Sequence, residues 1–208
     1  MKFGQAFTRI LQVIWEADPD KGPVWVSKLD ATNSYHLSTL QPSHVGTFAY
    51  VVPSAPEEDG VIIFIDMVLS MGWVESPKFL CAFSETLTDV ANALVNAELP
   101  VLAYRAIAKI PANTPPPPHP THAQDSLTHI DCYMDGVISA VQGGPKQQHQ
   151  VFDGTVCALK YLLLSLLGDS KYSVSVKKLL AVEGDWTCVK EVLGWAVDTE
   201  TGTAALPE

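Results

Sequence analysis

Two aspartates sit where strand-like runs end. Asp30 closes "VWVSKLD" (24–30), and Asp135 lies inside the apolar stretch "CYMDGVI" (132–138). Carboxylates on adjacent strand ends are what a two-metal phosphoryl-transfer site requires, because hard Mg²⁺ ions take oxygen ligands and clamp the attacking and leaving oxygens. Two further features accompany them. Tyr35 follows Asp30 by five residues, and "LSMGWVESP" (69–77) is a glycine-containing loop that feeds into a helix. Each is weak alone, since an aspartate at a strand end is usually a turn former. The three segments together, in this order and spacing, carry the signal.

Positioning these groups falls to a handful of elements. Residues 5–16 form a short amphipathic helix with Phe7, Ile10, Leu11 and Ile14 on one side. "DPDKGP" (18–23) is a turn, and the strand ending at Asp30 follows. "GTFAYVV" (46–52) and "VIIFIDM" (61–67), joined by the acidic "PSAPEEDG", read as a hairpin. Ser76 as N-cap and Pro77 at the first helical position open a helix to residue 96, with Phe79, Phe83, Leu87, Val90 and Leu94 as its apolar face. "NTPPPPHPTHAQD" is a proline-rich exposed spacer within 98–127, and His119 and His122 inside it lack a regular element to fix them as metal ligands. A strand at 128–134, a turn at 135–136 and a strand at 137–142 make a second hairpin. A helix over 146–167 ends at Gly168, and two short strands flank "DTETGT". This order predicts an α+β fold: an antiparallel sheet with helices packed on one face.

Composition narrows the function. The chain has 208 residues, 47% hydrophobic and 17% charged, enough for one folded domain. Its net charge of −10, with only 13 Lys and Arg, argues against a surface that grips polynucleotide everywhere, though a locally basic groove is compatible with it. Cys81, Cys132, Cys157 and Cys188 are far apart and suggest neither zinc nor a disulfide framework. Arg9 and Glu16 interrupt any signal-peptide core, and the run at 156–167 is too short to span a bilayer and contains Lys160. An intracellular protein, cytoplasmic or nuclear and not secreted, with no membrane association, is expected. G-x-S-x-G, Walker, G-x-G-x-x-G and H-E-x-x-H motifs are missing from the sequence.

The chain resembles the palm region of a reverse transcriptase from a retrotransposon polyprotein of the fungal and oomycete type. "KLDATNSYH" is similar to the family's D-x-x-x-x-Y/F motif. "MGWVESPKFLCAFSETLTDVAN" resembles its Gly-Trp loop, Ser-Pro and helix. "CYMDGVISAVQGG" resembles Y-x-D-D, and "KEVLGW" (190–195) the strand that supports the primer terminus. The likeness runs over about residues 6–205. It implies a remnant of the fingers segment at 1–23 and a reverse-transcriptase palm-like domain at 24–208. It further implies Asp30 and Asp135 as catalytic metal ligands for Mg²⁺ (or Mn²⁺), with Tyr35 as the gate against a 2′-hydroxyl. Gly72, Trp73, Ser76 and Pro77 would form the wall against nucleotide and template. RNA or DNA template-primer and dNTP are the implied partners.

Two departures stand out. The second aspartate of Y-x-D-D is Gly136, and Asp131 lies roughly 13 Å from Asp135 along an extended strand, too far to replace it. Most of the fingers, the thumb and any ribonuclease H domain are not in this sequence. The resemblance therefore implies an inactive RNA-directed DNA polymerase (nucleotidyltransferase) palm. The alternatives are a non-catalytic palm-like binding module, or an active fragment that needs the missing fingers and thumb.

Overall fold

A computed structural model describes residues 5–32, 34–52, 60–96, 127–167, 175–178 and 183–207. Its central feature is a three-stranded antiparallel sheet in the order β1 (Trp25–Asp30), β5 (Gly136–Val141), β4 (Thr128–Tyr133). The chain is α+β, with helices and antiparallel sheets in separate layers. The Pro-rich spacer, with His119 and His122, and Gly168 lie outside the described residues. No helix among the described residues is long and apolar enough to cross a membrane.

Strand alternation divides this sheet into two apolar faces. Leu29, Ile130, Val137 and Val141 point to one face and pack against α2 (Ser76–Asn96) and α3 (Pro145–Leu167). Val26 and Ile138 point to the other, where they meet Ile10 of α1 (Ala6–Trp15) and Val192 and Val197 of a C-terminal sheet. The expectation of helices on one face holds for α2 and α3 but leaves out the second layer. β5 is buried on both sides because its apolar run GVISAV has no polar alternation, the pattern of a strand with two covered faces.

Helix α2 is rotated from the face read in its sequence. Its buried positions are Ser76, Leu80, Cys81, Ser84, Leu87, Ala91 and Val95, while Phe79 is 58% exposed and Phe83, Val90 and Leu94 are only partly buried. Small residues win the contact side because they let neighbours approach closely. Beside Val95, α3 carries Gly154, where a Cβ would lie 2.7 Å from Val95 Cγ2. Gly154→Ala is therefore expected to lower stability by about 1 kcal/mol, the overpacking cost exceeding the gain in helix propensity. Adding Val95→Ala should recover much of that loss. Urea unfolding checks both, and a stabilised Gly154→Ala would contradict the helix contact.

The edge of β4 is satisfied by a side chain. Asn92 on α2 donates from Nδ2 to the Ile130 carbonyl (2.7 Å) and accepts the Ile130 N–H at Oδ1 (3.1 Å). On the opposite face, Arg9 of α1 forms a two-pronged pair with Asp131, Nε to Oδ2 at 2.5 Å and Nη2 to Oδ1 at 2.6 Å. Gln142 donates from Nε2 to the Asp18 and Gly22 carbonyls, fixing the loop ahead of β1.

The remaining strands form two small sheets. β2 (Ala49–Val52) pairs with β3 (Ile62–Ile65), matching the expected hairpin, although residues 42–48 form a 3-10 segment and not strand. Val51, Ile63 and Phe64 on it are more than half exposed, and Ile62 and Ile65 nearly so. At the C-terminus there are three strands where two were expected: β6 (Val189–Val192), β7 (Trp195–Asp198) and β8 (Thr203–Ala205). The extra turn is Leu193–Gly194, with φ of 51° and 79°, a two-residue hairpin connection in which both central residues are left-handed. Ahead of β6, Val26 exchanges backbone hydrogen bonds with Thr187 at 2.9 and 3.1 Å, so this segment runs along the outer edge of β1.

Candidate functional site

The β4–β5 turn consists of Met134 and Asp135, one residue earlier than the Asp-Gly turn expected. Met134 adopts a φ of 57°, and the left-handed conformation falls on the first central residue only. A non-glycine residue there costs about 1–3 kcal/mol, so the surroundings must enforce it. Ser84 of α2 does so. Its hydroxyl donates to the Met134 carbonyl and also reaches the Leu80 carbonyl at 2.9 Å. The Cys132 thiol is 3.4 Å from the same Met134 oxygen. Burial pushes that thiol up to about 12, so it stays neutral and can donate.

Moving the turn back by one residue brings Gly136 into β5. There it pairs with Tyr133 on one side and Asp30 on the other. Directly opposed residues share a face, so Asp30, position 136 and Tyr133 form one row across the sheet, with a gap in the middle. A Cβ at 136 would stand 3.4 Å from Asp30 Oδ1, ordinary contact. The Ala31 N–H donates to the Asp135 carbonyl at 2.8 Å, which ties the end of β1 to the turn. Tyr35, in the 3-10 turn Ser34–Leu37, is half-buried beside this group. Burial raises its pKa, and the neighbouring Asp135 charge raises it further. Asp30, Asp135, Tyr35 and Gly136 are thus brought together.

The Gly-Trp loop is built separately. Gly72 has a φ of 101°, a backbone conformation that favours glycine. Trp73 packs on Phe48 edge-on (5.0 Å between centroids) and on Phe79 in a stack (5.7 Å). Ser76 is fully buried as the first residue of α2. Its hydroxyl donates to the Ser70 carbonyl at 2.6 Å, pinning the loop, where an N-cap was expected; Pro77 follows it within the first turn. α2 links the two parts, with the loop at its start and Ser84 two turns on.

One residue at the site carries no motif. Lys178, on a single helical turn (Val176–Lys178), pairs through Nζ with Asp30 Oδ2. The Ser175 N–H donates to the Asp30 carbonyl at 2.9 Å, so the segment is held to the end of β1 twice. The Asp30 side chain is 12% exposed and that of Lys178 53%. The Asp30 hydrogen bond, then its charge, raises the ammonium pKa.

These residues do not supply the donor set of a divalent-ion pair. Asp30 already holds an ammonium, position 136 offers no side-chain oxygen, and Asp131 is taken up by Arg9. Among the described residues no three His, Cys, Asp or Glu side chains converge on a point that could hold a metal. No protein-family model and no curated protein matches the chain.

Proposed function

We propose that this chain is the palm of a reverse transcriptase whose metal site has lost a carboxylate, and with it RNA-directed DNA polymerase activity. The row Asp30–Gly136–Tyr133 carries the reading. The strand-end aspartate is registered against Gly136, the position where Y-x-D-D has its second aspartate, and Tyr35 and Asp135 sit next to it. Template-primer and dNTP are the ligands such a palm descends from binding. Fewer Lys and Arg than Asp and Glu (13 against 23) weaken its hold on phosphate. A second reading, a palm-like scaffold kept for protein association, is favoured by the exposed apolar side chains of the β2–β3 hairpin.

Primer extension tests the proposal. The chain, given RNA or DNA template-primer and dNTPs with Mg²⁺ or Mn²⁺, is expected to add no nucleotide. Two carboxylates cannot neutralise two divalent ions that must also be stripped of some of their waters. Extension by the unmodified chain that Asp30→Asn abolishes would overturn the loss of activity.

A further inference from the structure

We infer that Lys178 is the resident cation of this site: its ammonium occupies the place beside Asp30 that a divalent ion would need, so the site is complete without metal. The inference rests on reading Asp30 and Asp135 as the carboxylates of a former metal site.

A nearly buried carboxylate requires a counter-charge, and here the chain provides its own. The Asp30 side chain is 12% exposed and its Oδ2 is paired with Lys178 Nζ. The pairing is not a chance reach of a long side chain, because the Ser175 N–H is bonded to the Asp30 carbonyl and holds the same segment in place. Asp135 and Glu183 add only weaker, longer-range attraction to the same ammonium, whose direct partner is Asp30. Gly136 fits the same arrangement. With no side chain there, Asp30 faces Lys178 without a second carboxylate at its shoulder, and one ammonium balances it. A divalent ion entering this site must displace Lys178 first. That displacement sets a selectivity against Mg²⁺ and Mn²⁺ independent of the missing aspartate.

The test replaces Lys178 in the full chain and reads melting temperature and bound Mn²⁺, the latter by electron paramagnetic resonance. Lys178→Met keeps the length of the side chain and removes its charge. It is expected to lower the melting temperature by about 2–4 °C without metal and to raise Mn²⁺ affinity at least about tenfold, with Mn²⁺ restoring the melting temperature. Lys178→Arg should behave as the parent protein. Adding Asp30→Asn to Lys178→Met should remove the gained Mn²⁺ binding. If Lys178→Met lowers the melting temperature but binds Mn²⁺ no better than the parent, the lysine is only a structural tether and the inference fails. If neither quantity moves, it fails as well. Both failures leave the palm reading untouched, because that reading is judged by primer extension and by the carboxylate restored at position 136.

Discussion

Arg9→Met is expected to lower the unfolding free energy by about 3–5 kcal/mol, the range for breaking a buried ion pair from one side. The Asp131 side chain is 3% exposed, and both of its oxygens are held by the guanidinium of Arg9, whose side chain is 30% exposed. Burial alone would raise the Asp131 pKa. The facing His129 and the Arg9 and Cys132 N–H groups outweigh burial and hold the carboxyl below its ordinary value. His129 Nε2 stands 3.7 Å from Oδ2, outside hydrogen-bond range, so Arg9 is the partner that matters. A depressed folded pKa gives stability that is present above the unfolded carboxyl value and is lost as pH falls through the folded one. Without Arg9 the buried carboxylate favours its neutral form, and the sign reverses. The difference between parent and Arg9→Met should therefore shrink as pH falls from 7 toward 4. Urea unfolding at several pH values checks this, and Arg9→Met/Asp131→Leu should recover most of the loss.

Gly136→Asp is the second large effect. The new carboxylate would project from the row between Asp30 and Tyr133, with its Cβ 3.4 Å from Asp30 Oδ1 and no backbone obstacle closer than 3.6 Å. Position 136 does not have a left-handed φ, so a side chain there carries no conformational strain. Without metal, two carboxylates then face one ammonium. Like charges directly opposed on neighbouring strands destabilise, here by about 1 kcal/mol. With Mn²⁺ the same crowding becomes a ligand set, and affinity should rise at least about tenfold, equivalent to about 1.4 kcal/mol. Primer extension is not expected to return.

Much of the fold was legible because its signals are local. The alternation in "VWVSKLD", the apolar flanks of "YMDG" and the Ser-Pro start of α2 each act within a few residues. The failures came where a long-range contact decided. Asp-Gly is a strong short-turn signal, yet the turn falls on Met134–Asp135, because pairing of Gly136 with Asp30 sets the register and Ser84 on α2 supports Met134. Arg9 lies 122 residues from Asp131 and Lys178 lies 148 from Asp30, separations with no sequence signature. A hint existed for the first. Asp131 is a carboxylate between Ile130 and Cys132 in a strand that must be covered, and such a group demands a cation. Nothing comparable marked Lys178. The rotated face of α2 has the same origin: Ala91 and Ser84 are buried because β4 and α3 come close, which periodicity does not report.

In the proposed reading, Asp30 and position 136 are the two sides of a metal site with one side missing. Mn²⁺ binding counted by electron paramagnetic resonance in three proteins tests it most directly: the unmodified chain, Gly136→Asp, and Gly136→Asp/Asp30→Asn. The expected result is weak binding by the first, binding tightened at least about tenfold in the second, and return to the parent level in the third. Gly136→Asp that binds Mn²⁺ no better than the parent, or tightened binding that survives Asp30→Asn, would contradict it.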